Sequence, residues 1–335
     1  MKKKIFITII GIVILISSCT DQNKNEVVVY TSVDQVFSEP VLKAFEKQTG
    51  IKVNAVFDTE ETKSTSVLNR LISEKNNPQC DVFWSGDPMR ADVLKQKEIT
   101  EAYRSPASSG INAAFIDKDY HWIGFSARAR VLLVNTNLVK PQDIPTSILD
   151  LSNEKHKGKF TIANPLFGTT SFHMAALFAT LGDEKAKQFM EDLKKNEVII
   201  ASSNGDVKKK VATGEIPMGL TDTDDANEAV KEGAPVKAIF LDQRGFGNLI
   251  VPNTASLIKN SPNNENGKKL IDFLLSVETE KMLAESCAQM PLHKGVAVPN
   301  TVPSLDNIVP MKVDYARVAQ KSEQIKQYLK QWAAQ

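Results

Sequence analysis

Cysteine is scarce, three in 335 residues, too few for the disulfide framework that holds small secreted domains together. The four histidines (His121, His156, His173 and His293) are too scattered to suggest a zinc centre. No charge of one sign dominates. With 41 Lys and Arg against 40 Asp and Glu, there is no electrostatic reason to expect nucleic acid as a partner. The G-x-S-x-G elbow, the Walker A loop and H-E-x-x-H are all missing. Gly245-Phe246-Gly247 lacks the third glycine of a dinucleotide fingerprint, because Ile250 stands in its place. Asp222-Thr223-Asp224-Asp225 imitates the start of a calcium loop. It fails at Ala226, Asn227 and Gly233, where a fifth ligand, the turn glycine and the bidentate Glu belong. No catalytic residue, cofactor or resident metal is therefore expected. Internal repeats and low-complexity linkers are absent too. What remains is an ordinary globular composition, 42% hydrophobic and 24% charged, at a length of about two domains.

The first residues are of a different kind. Lys2, Lys3 and Lys4 precede the apolar run Ile5–Ile16, which is interrupted by Thr8 and Gly11. As a helix this run measures roughly 18 Å, short of a hydrocarbon core of ~30 Å, so residues 1–18 read as a secretory signal and not a membrane span. Ile16-Ser17-Ser18-Cys19 resembles the lipobox of bacterial lipoproteins, which implies lipidation of Cys19. Residues 19–26 are then a polar tether. Loss of Lys2–Lys4 from 41 basic residues leaves 38 against 40 acidic ones, a mature chain near −2. Cys80 and Cys287 lie far apart beside apolar stretches, where buried free thiols are common.

In the mature chain, strand-like and helix-like runs alternate. Val27–Thr31 and Asp81–Trp84 are apolar, as buried parallel strands are, and Ile51–Phe57 alternates. Val41, Leu42 and Phe45 have helical spacing and end at Gly50; Val67, Leu68, Leu71 and Ile72 mark a helix beginning near Thr62–Ser64. Strands are expected at Val131–Val134, Phe160–Ala163, Val198–Ile200, Met218–Leu220, Val236–Phe240, Leu249–Pro252 and Ala255–Lys259. Helices are expected from about Thr170 to Leu181, over Asp183–Lys195, from about Asp206, up to Gly233, over Gly267–Leu275 and Val277–Ser286, and near Ser322–Trp332. The βαβαβ order of the first three strands predicts a parallel sheet with right-handed crossovers, and the two sets of elements together an α/β fold of two lobes.

Three predicted helix starts combine hydroxyls with the positive end of a helix dipole, a pairing that suits an oxyanion. They are Gly168-Thr169-Thr170-Ser171, Ser203-Asn204, and Thr62 with Ser64. Plain N-capping accounts for any one of them, and the first exceeds what a cap requires. Acids follow the strand ends: Asp34, Asp87, Asp222, Asp224 and Asp225. They suit ligand hydroxyls, an ammonium group or a hard cation, while Asp224 or Asp225 could also cap the helix from Ala226. Arg128 and Arg130, two apart on an extended segment, face one side, where either could meet an anion or form a surface ion pair. The candidate ligand-binding residues are thus Ser32, Asp34, Thr62, Ser64, Ser85, Arg128, Gly168, Thr169, Thr170, Ser171, Ser203, Asn204, Asp224 and Asp225.

Val28–Ser32 (VVYTS), Ala44–Val53 (AFEKQTGIKV), Asp81–Trp84 (DVFW), Ser126–Asn135 (SARARVLLVN), Gly219–Ala226 (GLTDTDDA) and Leu270–Ser276 (LIDFLLS) together resemble the ferric-iron-binding type of solute-binding protein of bacterial ABC importers. The resemblance implies a two-lobed type II periplasmic-binding fold with its ligand in the interlobe cleft. Crossings between lobes are implied near Ser126–Arg130 and Leu249–Pro252. Lobe 1 is expected at residues 27–125 plus 252–300, and lobe 2 at 126–251 plus 301–335. Iron-binding members carry a tyrosine pair where Asp224 and Asp225 stand, and some carry a His where Asp34 stands. A small phosphorylated or phosphonate metabolite is therefore the leading ligand class and ferric iron the alternative. A secreted hydrolase using Asp224 and Asp225 as an acid–base pair is the reading from another class. The implied partners are an ABC permease, a small-molecule or ion ligand, and a membrane reached through the lipid on Cys19. No nucleic acid is implied, and the chain is expected to act as a monomer in the periplasm or at the cell surface.

Overall fold

The computed structural model describes residues 25–58 and 66–334. The chain opens with strand β1 (Glu26–Thr31), helix α1 (Gln35–Thr49), β2 (Lys52–Phe57), α2 (Ser66–Ser73), β3 (Val82–Ser85), α3 (Pro88–Gln96) and β4 (Thr100–Glu101). β1 pairs in parallel with both β2 and β3, as two successive crossovers require. Asp87 ends the β3 turn and caps α3, its carboxylate accepting from Arg90 N–H, with Pro88 at the first helical position. α3 is absent from the expected helices because its residues Pro88–Leu94 are all buried, polar ones included, and leave no amphipathic period in the sequence.

The largest departure from expectation is β5 (Ile123–Asn135), thirteen residues buried throughout, where a four-residue strand was foreseen. Polar side chains at Ser126, Arg128 and Arg130 masked its first half. Two partners account for its length. Ile123–Ala129 pairs antiparallel with β10 (Ile250–Ile258), and Arg130–Val134 pairs antiparallel with β8 (Met218–Asp222). The same backbone thus passes from one set of strands to the other. At Ser126 the register against β10 shifts, and this buried residue has φ of 38°. β10 is likewise continuous where two strands were expected.

Between β5 and β10 lie β6 (Phe160–Ala163), α4 (Gly168–Leu181), α5 (Asp183–Lys195), β7 (Ile199–Ala201), α6 (Asn204–Ala212), α7 (Thr223–Lys231) and β9 (Val236–Ile239). The sheet order is β2-β1-β3-β10-β5-β8-β6-β7, with β4 beside β10 and β9 beside β5. Gly219 in β8 is required by packing: a Cβ there would meet Val207 Cγ1 at 2.5 Å and Thr161 Cγ2 at 2.9 Å, so α6 lies directly on the strand. The chain ends with α8 (Asn264–Leu274), α9 (Val277–Cys287) and α10 (Tyr315–Ala333), the last beginning seven residues before the expected start.

Two main apolar cores follow. The first gathers Val27, Phe45, Trp84, Phe125, Leu257 and Leu283. The second gathers Leu132, Phe160, Phe172, Leu193, Leu220 and Trp332, and it also takes Met89 and Val93 of α3, which packs on α10. Cys80 and Cys287 are both buried and free. Among the described residues no helix is long and apolar enough to cross a membrane. Cys19 lies outside them.

Candidate functional site

The carboxyl ends of β1, β3, β6 and β8 open onto one cleft of about 230 Å³, where a ligand of an open α/β sheet is expected. Ser32, Asp34, Gly86 and Asp87 line one wall. The starts of α4, α6 and α7 line the other, with Gly168, Thr169, Thr170, Ser203, Asn204, Asp222, Asp224 and Asp225. Arg128 of β5 stands between the walls.

Behind the second wall sits Arg130, 1% exposed. Its Nη1 donates to Asp222 Oδ1 (2.7 Å), Thr169 Oγ1 (3.0 Å) and Asn204 Oδ1 (3.3 Å); its Nη2 donates to Thr170 Oγ1 and to the Leu220 carbonyl, both at 3.3 Å. Thr169 Oγ1 donates to Asp222 Oδ2 (2.7 Å), and Asn204 Nδ2 donates to Thr169 Oγ1 (2.8 Å) and to Asp222 Oδ2 (3.2 Å). One guanidinium thereby ties the starts of α4, α6 and α7 into a single block. Burial alone would raise the Asp222 carboxyl, but Arg130 and Arg128, with the Thr169 hydroxyl, hold it below the ordinary carboxylate range.

At the front the balance is different. Among the described residues lining the cleft, Arg128 is the single basic side chain against six acids, Asp34, Asp87, Asp222, Asp224, Asp225 and Glu228. Arg90 pairs with Asp87 (3.3 Å) and Lys208 with Glu228 (2.6 Å). Arg128 lies 3.6 Å from both Asp222 and Asp224, and its Nη2 donates across the cleft to the Gly86 carbonyl (2.7 Å). Burial pushes the Asp224 carboxyl well above its ordinary value; Arg128 opposes the rise, while Asp225, Asp222 and Asp34 add to it. Carboxylate oxygens of Asp222, Asp224 and Asp225 come within 4.8 Å of one another, close enough to share a cation.

The three helix starts differ in what they leave open. Ser203 caps α6 through Asp206 N–H (3.1 Å), and Asp206 adds an acid to its first turn. α7 carries Asp224 and Asp225 in its first turn. α4 has neither a side-chain cap nor an acid there. Its first helical bond runs from Ser171 N–H to the Phe167 carbonyl (3.1 Å), so the N–H groups of Gly168, Thr169 and Thr170 have no intrahelical acceptor. Gly168 enters the helix at φ of 53°, a left-handed conformation that favours glycine.

Most of the predicted residues meet here: Ser32, Asp34, Arg128, Gly168, Thr169, Thr170, Ser203, Asn204, Asp224 and Asp225. Ser85 and Ser171 do not. Ser85 is sealed in β3, its hydroxyl accepting from Asp87 N–H (3.3 Å), because alternate strand residues face opposite sides. Ser171 faces a hollow between α3 and α10, since it is turned around α4 from Gly168. Thr62 and Ser64 lie outside the described residues. Two readings of role also change. Arg128 and Arg130 form buried pairs, not a surface one, and the cap position of α7 belongs to Asp222, whose carboxylate is spent on Arg130. Asn164 and Gln289, which also line the cleft, had no signal in the sequence, being single residues without a motif, whereas Phe167 and Ser202 immediately precede the helix starts expected at Gly168 and Ser203. Arg130 was named for its direction, and its bracing role required partners up to 92 positions away.

Residues 41–308 match the family model described as bacterial extracellular solute-binding protein. Iron uptake protein A1 of Synechocystis sp. is 26% identical over 87% of this chain and 85% of its own length. A periplasmic protein of Salmonella typhi named for 2-aminoethylphosphonate binding is 30% identical, over 76% and 73%. The crystal structure of iron-bound HitA from Pseudomonas aeruginosa superposes with a TM-score of 0.83, 21% identity, and coverage of 91% and 99%. The fold is accordingly the expected two-lobed α/β one, with the cleft between the lobes.

Proposed function

The chain belongs to the bacterial extracellular solute-binding protein family, and on that premise we propose that its cleft captures a small phosphorylated or phosphonate solute. Binding for an ABC importer, with a permease as partner, is its role; like its relatives it is a transport protein and not an enzyme.

The observation that carries the ligand reading is the bare start of α4. Its N–H groups stand at the cleft without a side-chain cap or an acid in the first turn of the helix, which suits an oxyanion. The surplus of acids around Arg128 repels a plain anion, so the solute pairs its anionic group with a cationic one, which faces Asp34, Asp224 and Asp225. The Salmonella relative's name supports a ligand of this kind. Residues 27–125 with 252–300, and 126–251 with 301–335, are read as the lobes that close on it, in a protein acting as a monomer.

Calorimetric titration tests this reading. 2-Aminoethylphosphonate should bind, and removal of its amine, as in ethylphosphonate, should weaken binding about tenfold or more, the worth of one charge-assisted contact. Ferric iron is the second reading, favoured by the proximity of Asp222, Asp224 and Asp225. A tight ferric complex in a protein that ignores both phosphonates would replace the first reading with the second.

Attachment to a membrane is proposed through lipid on Cys19. Cys19→Ala should leave the protein unprocessed or release it from membranes; unchanged detergent partitioning would count against the anchor.

A further inference from the structure

A separate cavity of about 10 Å³ is lined by Arg130, His173, Asp242 and Asn248 together with apolar side chains such as Ile148, Leu220 and Met311. Arg130, His173 and Asn248 are each at most 5% exposed, and each has one buried atom with no partner in the protein, Arg130 Nε, His173 Nδ1 and Asn248 Oδ1, whereas the Asp242 carboxylate already accepts from the Ser147 hydroxyl and Ile148 N–H. A buried polar atom without a partner is costly, and three on residues around one cavity call for a shared partner. A cavity of this size holds one water, and a buried water makes about three hydrogen bonds.

We propose that this cavity holds one structural water, which accepts from Arg130 Nε–H and donates to Asn248 Oδ1 and His173 Nδ1. His173 and Asn248 are thereby positioning residues for the Arg130 guanidinium. The donor and acceptor identities agree. Asn248 Nδ2 donates to the Arg130 carbonyl (2.7 Å), which fixes the amide with its oxygen as the remaining acceptor. Burial, with Arg130 adding to it, pushes the His173 ring down to about 3, so the imidazole is neutral and one nitrogen keeps its lone pair. One donor and two acceptors are what a single water satisfies. The other edge of the guanidinium makes the bonds to Asp222, Thr169, Thr170 and Asn204. The water thus holds Arg130 from behind while Arg130 holds the start of α4, whichever solute the cleft takes.

Nitrogen-15 spectra of the ligand-free full chain test this directly. Arg130 Nε–H should show a cross-peak to a long-lived water, and the His173 ring should carry its proton on Nε2 with Nδ1 bare. In His173→Phe, exchange of the Arg130 Nε–H should quicken about tenfold or more, because the water loses an acceptor. His173→Asn, whose side-chain oxygen stands near the former Nδ1, should restore protection. A wild-type spectrum without the water contact, or with His173 protonated on Nδ1, overturns the site whatever the variants do. Equal exchange in His173→Phe and wild type overturns the positioning role.

Discussion

The rear and the front of the same cleft wall are built from the same few residues to opposite electrostatic ends. At the rear, Arg130 meets Asp222 at 2.7 Å, and the Thr169 and Thr170 hydroxyls and the Asn204 amide join the pair in one network. At the front, two residues further along, Asp224 is crowded by Asp225, Asp222 and Asp34, with Arg128 as the opposing charge. The Asp222 carboxyl is held below its ordinary range and that of Asp224 is driven above it, although one helical start carries both. A settled rear keeps the wall rigid. An unsettled front holds free energy that a ligand of the right charge can release.

The contrast breaks most completely at Asp222. Asp222→Asn leaves a buried guanidinium short of its counter-charge, and urea denaturation should show a loss of about 3–5 kcal/mol. A loss near zero would mean that the rear network is not what holds the wall together. Thr169→Val is next. It deletes the hydroxyl that bonds Asp222, Arg130 and Asn204 while keeping side-chain shape, and should cost ~1–3 kcal/mol by the same assay. The smallest effect has the reverse sign. Asp224→Asn relieves like-charge crowding and should stabilise the ligand-free protein by on the order of 1 kcal/mol near neutral pH.

The pH dependence separates the two carboxylates further. Asp224, raised in the folded state, contributes stability that is whole below the ordinary carboxylate range and lost as pH rises through its elevated value. Asp222, depressed, contributes stability that is whole above that range and lost as pH falls through its lowered value. Urea midpoints measured across acid to neutral pH should therefore show Asp224→Asn gaining on wild type as pH rises. Parallel curves would show that the crowding at the front is screened.

What the sequence by itself determined is what short-range patterns encode. Period-two and period-3.6 runs located most of the strands and helices, the hydroxyl-rich run at Gly168 marked the helix start that opens on the cleft, and the spacing of Arg128 and Arg130 put both on one side of a strand. The family segments identified the two-lobed fold. Tertiary structure alone decided the rest. It joined Ile123–Asn135 into one strand because each half found a different partner, and it turned Ser85 and Ser171 away from the cleft. It also gave Asp222 to Arg130 and left Asp224 at the front. The physical reason is that a carboxylate's role depends on which charges stand within a few ångströms of it. Those charges come from Asp34 at the start of α1 and from Arg128 and Arg130 in β5, segments that no local pattern brings to the end of β8.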